Sequence, residues 1–138
     1  MTDLNRVYDA INKENIPVYN YKIPFNTEAV TIEIDNKYGI FVDYDKLKSS
    51  DKEFIVLSHE YGHCKSGTTH RVDCDFNTKA KHEYKANRQS IITFLPVDKL
   101  KEAFAKGCQM AYEVAEYLDL PEQFIIMAIG HYRCMGKI

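Results

Sequence analysis

Residues 59–63 read H-E-Y-G-H. His59 and His63 stand four apart, just over one helical turn, so on a helix both imidazoles leave the same face. Two imidazoles on one face can take one zinc ion and leave other positions on the metal open. Glu60, beside the first histidine, can then take a proton from a water that the metal acidifies, which makes it the candidate catalytic base. Two histidines are not yet a catalytic site, because three protein ligands plus water is the usual pattern. The candidates for the third ligand are His70, Cys74, His82 and Glu83. His70 would be a loop ligand. Cys74 together with Cys64 would suggest a closed structural site instead. Glu83 lies on the next expected helix, and a His-His-Glu set keeps a metal strongly Lewis acidic. His82 points about 100° away from Glu83 around that helix, so the two cannot readily share one ion. Asn87, one turn after Glu83, can orient that ligand by a hydrogen bond. Donors for a developing oxyanion are Tyr84, His131, Tyr132 and His82.

The histidines share a face only if their segment is helical. Ser50-Asp51-Lys52-Glu53 reads as a capping box ahead of F-I-V-L-S-H-E-Y-G-H, and predicts a helix from about 51 to 66 that Gly67 ends. Gly62 is a weak helix former, but it leaves room for a strand or substrate to come close. Upstream, Leu4, Val7, Tyr8 and Ile11 form a helical stripe, with Thr2 or Asp3 as its cap. Residues 16–23 hold Pro17 and read as extended chain or an edge strand. A-V-T-I-E-I at 29–34 and G-I-F-V-D-Y at 39–44 alternate around a turn at 35–38, which predicts a hairpin. Downstream, residues 68–77 are a polar loop, and Asn77 or Thr78 can cap a helix running to about Leu95. Further helices are expected at 97–106, 110–118 and 122–132. The expected class is α+β in one domain spanning 1–138: helix, small antiparallel sheet and metal helix over 1–67, then a helical half over 78–132.

Composition narrows the setting. With 45% apolar and 28% charged residues, the 138-residue chain reads as an ordinary soluble domain. A net charge of -2, with both signs mixed along the chain, leaves no basic footprint for direct nucleic-acid binding. No membrane span and no export signal is seen, and the four cysteines are widely spaced. Reduced thiols and a cytoplasmic location are expected. The helical pair from 110 to 132 is similar to a helix-turn-helix, but its second helix opens on Pro121, Glu122, Gln123 and Phe124. Those residues suit packing or partner contact better than base contact.

H-E-Y-G-H followed by E-Y-K-A-N at 83–87 resembles the ImmA/IrrE family of metallopeptidases, whose members carry H-E-x-G-H and then E-x-x-A-N on the next helix. I-I-T-F-L-P at 91–96, K-H-E-Y-K-A-N-R at 81–88, L-P-V-D-K-L-K-E-A at 95–103 and the closing V-A-E-Y-L-D-L-P-E-Q-F-I-I-M-A-I extend the resemblance over about residues 40–132. It is strongest to short members encoded by phages and integrative elements. The resemblance implies a zincin-like fold, with His59, His63 and Glu83 as zinc ligands and Glu60 as general base. It also implies a protein substrate, usually a helix-turn-helix repressor made by the same mobile element, whose cleavage relieves repression. The alternative is a zincin-like binding module that holds its partner without cutting it, as an antirepressor or toxin–antitoxin component. A structural zinc site using Cys64 or Cys74 is a third expectation.

Overall fold

The chain begins with α1 (Asn5–Lys13), whose buried Val7 and Ile11 belong to the expected stripe. Neither Thr2 nor Asp3 is its cap: Leu4 stands at the N-cap without a side-chain cap, Asp3 Oδ1 accepts from the Asn5 N–H at 3.0 Å, and the Thr2 hydroxyl turns to Asp51. The helix gives way at Asn15, which holds a positive φ of 58°. The structure, a computed structural model, describes residues 2–69 and 75–138. After α1 come β1 (Val18–Asn20), β2 (Ala29–Ile34) and β3 (Lys37–Val42), then a short 3-10 turn at Tyr44–Lys46. The helices that follow are α2 (Ser50–Ser66), α3 (Phe76–Phe94), α4 (Val97–Ala105), α5 (Ala111–Leu118) and α6 (Glu122–Cys134).

The predicted hairpin forms, with Ile34 opposite Lys37 and both turn residues, Asp35 and Asn36, at positive φ. The sheet is nevertheless mixed rather than antiparallel. Its order is β1-β3-β2, and β1 runs parallel to β3, Val18 opposite Ile40. The chain reverses once between β1 and β2 and again in the hairpin, so the first and third strands end up parallel. Alternation of apolar residues reports which face a strand buries, not which neighbour it chooses.

The caps of α2 and α3 also move by a few residues. Ser49, not Ser50, caps α2, accepting from the Lys52 N–H at 3.1 Å. Glu53, the presumed reciprocal partner, accepts instead from the Tyr8 hydroxyl at 2.5 Å. Asp75, rather than Asn77 or Thr78, caps α3 through the Thr78 N–H at 2.7 Å. A carboxylate at a helix N-terminus satisfies an orphan N–H and meets the positive end of the helix dipole.

α2 runs through the centre of the molecule. Its Phe54 and Leu57 are fully buried, and Phe54 meets Phe94 of α3 and Phe124 of α6 edge-on at 5.6 and 5.2 Å. Ile40 and Val42 of β3 close the core from the sheet side. α6 buries Phe124, Ile125, Ala128 and Tyr132, so the helical pair that is similar to a DNA reader packs its second helix into this core. Tyr132 also donates from its hydroxyl to the Leu95 carbonyl at 2.8 Å. Among the described residues, no helix is long and apolar enough to cross a membrane.

α2 and α3 touch at one point closely enough to fix their spacing. A Cβ on Gly62 would stand 2.1 Å from the carbonyl oxygen of Ala86. The room that Gly62 leaves is therefore taken by the backbone of α3, not by a strand or substrate.

Candidate metal centre

α2 carries His59, Glu60 and His63, and α3 carries Glu83, Asn87 and Ala86, so the Gly62–Ala86 contact sets the two ligand rows face to face. Nε2 of His59 and Nε2 of His63 lie 3.2 Å apart. Glu83 Oε2 is 2.7 Å from His59 Nε2, and Oε1 is 3.3 Å from His63 Nε2. These three residues form a group able to hold a metal ion.

Each imidazole is anchored by its other nitrogen. His59 Nδ1–H donates to Asn87 Oδ1 at 2.8 Å. Asn87 thus orients a candidate ligand, but that residue is His59 rather than Glu83. His63 Nδ1–H donates to the Thr68 carbonyl at 3.1 Å. That carbonyl is in place because Gly67 adopts the left-handed conformation, φ 66°, and turns the chain back so that the Thr68 N–H reaches the His63 carbonyl. Both rings therefore turn Nε2 toward Glu83.

Charge follows the geometry. The hydrogen bonds from His59 and His63 hold the Glu83 carboxyl well below the usual carboxylate range. Burial disfavours the His59 imidazolium, but Glu83 and Glu60 outweigh it and move the net shift upward. Glu60 is buried beside the histidines, and desolvation pushes its carboxyl upward. Thr31 Oγ1, on β2, donates to Glu60 Oε1 at 2.8 Å. A carboxylate with a raised pKa, next to a group able to hold a metal, is a suitable proton acceptor.

A cleft of about 730 Å³ opens over these residues. Phe25, Ile55, Val56 and Met127 are among its apolar lining residues, and Thr69 and Lys79 line it as well. β2 is the edge strand on this side. Its register, with the Asp43 N–H donating to the Glu28 carbonyl, turns the backbone groups of Val30 and Ile32 toward β3. Those of Ala29, Thr31 and Glu33 point away from the sheet.

The structure does not bring the oxyanion candidates Tyr84 and His131 into the cleft. Their rings lie against each other at 6.4 Å, and Tyr84 is 56% exposed. Tyr132 is held in the core, and His82 is absent from the cleft lining. Cys64 sits in the hydrophobic core, its thiol pushed up to about 12 by burial. His70 and Cys74 lie outside the described residues. Thr31 and Lys79 were missed from sequence. Thr31 sits in an alternating strand with nothing to mark it. Lys79 could have been found, one turn before Glu83 on the same helix face.

No protein-family model matches the chain, and no curated protein or solved structure matches it either. The chemistry of the site therefore rests on its side chains.

Proposed function

We propose that the chain is a zinc metallopeptidase that hydrolyses a peptide bond in a partner protein. The observation that carries this reading is the convergence of His59, His63 and Glu83 in one cleft with the buried Glu60 beside them. Two imidazole nitrogens and a carboxylate are a catalytic zinc donor set. Zinc–ligand distances of about 2.0–2.2 Å put tetrahedral ligand atoms roughly 3.3–3.6 Å apart. The 3.2 Å between the two Nε2 atoms and the 3.3 Å from His63 to Glu83 fall close to that edge, while the 2.7 Å from His59 to Glu83 is a hydrogen-bond distance that a bound ion would have to widen.

Zinc held there supplies Lewis acidity toward water and toward a scissile carbonyl. The protein's own part is proton transfer and placement. Glu60 takes the proton from the attacking water and returns it to the leaving amine. The free edge of β2 offers backbone N–H and C=O groups to which an extended substrate segment can add as a strand. The apolar residues lining the cleft suit a bulky apolar side chain.

The choice of substrate comes from the resemblance to the ImmA/IrrE family: a helix-turn-helix repressor of a phage or mobile element, met inside the cell. Coexpression with such a repressor, comparing the native chain with Glu60→Gln, tests the reading. Cleavage should fall by about 10²–10⁴-fold in the variant. Persisting cleavage would remove Glu60 as the base. Repression lost equally in both, with the repressor intact, would favour the binding module.

A further inference from the structure

Among the described residues, Thr31 is the one group that hydrogen-bonds the Glu60 carboxylate. Its Oγ1 is 2.8 Å from Glu60 Oε1 and 3.4 Å from the backbone carbonyl of the same residue. A threonine hydroxyl has a single hydrogen, and the carboxylate is both the nearer and the stronger of these two acceptors. The hydrogen therefore goes to the Glu60 carboxylate.

The hydroxyl is also held firmly in space. Thr31 pairs with Ile40, which is fully buried, so the sheet register fixes its backbone. Its branched Cβ then restricts χ1. Glu60, by contrast, has three side-chain torsions, and its neighbour His59 leaves the helix about 100° away. We propose that Thr31 is the positioning residue of the catalytic base, holding Oε1 of Glu60 so that Oε2 is the oxygen offered to the attacking water. The strand that forms the cleft wall thereby also sets the proton acceptor. This rests on the reading of Glu60 as the base.

The test compares Thr31→Val, which keeps shape but loses the hydroxyl, with Thr31→Ser, which keeps the hydroxyl. Both are made in the full chain loaded with zinc. Thr31→Val should retain one zinc per chain and a KM within about twofold, while kcat falls about 10- to 100-fold. Thr31→Ser should recover most of that loss. A second readout needs no turnover: the 13C signal of the Glu60 carboxyl, assigned through Glu60→Gln, should shift in Thr31→Val and stay near the native position in Thr31→Ser. Native kcat with an unmoved carboxyl signal in Thr31→Val would overturn the proposal. So would equal losses in both variants accompanied by loss of zinc. If the native chain cuts nothing, the base reading fails, and the carboxyl signal alone decides whether Thr31 holds Glu60.

Discussion

At the residue scale everything depends on which ring nitrogen of each histidine is turned toward Glu83. Asn87 takes Nδ1 of His59, and the Thr68 carbonyl takes Nδ1 of His63. Removing such an anchor leaves the ligand in place but lets its ring turn. Asn87→Ala should therefore bind zinc about 10- to 100-fold more weakly, measured by competition with a chromophoric chelator. Protons compete for the same atoms. His59 is shifted upward and Glu83 downward, so in the metal-free protein their ion pair is intact between the two pKa values. The stability that Glu83 contributes is lost as pH falls through its depressed value, and that of His59 is lost as pH rises through its raised one. Metal binding needs the neutral imidazole and so releases protons. Zinc affinity should weaken as pH is lowered through the raised value of His59, and isothermal titration in buffers of different ionisation enthalpy should register the proton release. A flat affinity across pH 5–8, roughly the histidine range, would contradict this.

At the scale of elements, the site is an α2–α3 contact with a strand laid along it. Gly62→Ala would drive a Cβ into the Ala86 carbonyl, since the available gap is 2.1 Å. Both atoms at that contact belong to backbones, so the helices must part. A loss of ~1–3 kcal/mol or more in thermal unfolding is expected, together with loss of stoichiometric zinc. Native zinc content in a stably folded variant would show that the close approach does not set the ligand rows. The glycine of H-E-Y-G-H and the alanine of E-Y-K-A-N are thus two halves of one contact, though sequence spacing alone assigned neither to the other. The helix that carries both histidines and its end at Gly67 were legible because the serine-rich start, the period and the terminal glycine all agree. The parallel pairing of β1 was not, because three extended residues carry no signal of their partner. Thr31 was invisible for a related reason: its partner, Glu60, is 29 positions away, on another element. The wall of the cleft at residues 23–27 is held by Lys46, whose Nζ donates to the carbonyls of Ile23, Phe25 and Thr27 at 3.0, 2.5 and 3.0 Å. Lys46→Met should loosen this segment, raising amide exchange there while leaving the protection of α2 unchanged.

At the scale of the whole molecule, one core stabilises both halves of the chain, with Phe54 between the rings of α3 and α6. Phe54→Ala should cost about 3–5 kcal/mol, read from denaturant unfolding, because three elements lose a shared contact. Zinc, binding only where α2 and α3 already face each other, should raise the melting temperature with its concentration, and a chelator should reverse that gain. The fold thus places a ligand set, a buried carboxylate and a sheet edge around one cleft, and the central claim is that they act together to cut a peptide. The most direct measurement is mass-spectrometric detection of cleavage in a complex peptide library, using the native chain and Glu60→Gln, each carrying one zinc. The native chain is expected to cut beside bulky apolar residues, at a rate about 10²–10⁴-fold above the variant. Equal cutting by both, or none by the zinc-loaded native chain, would contradict it.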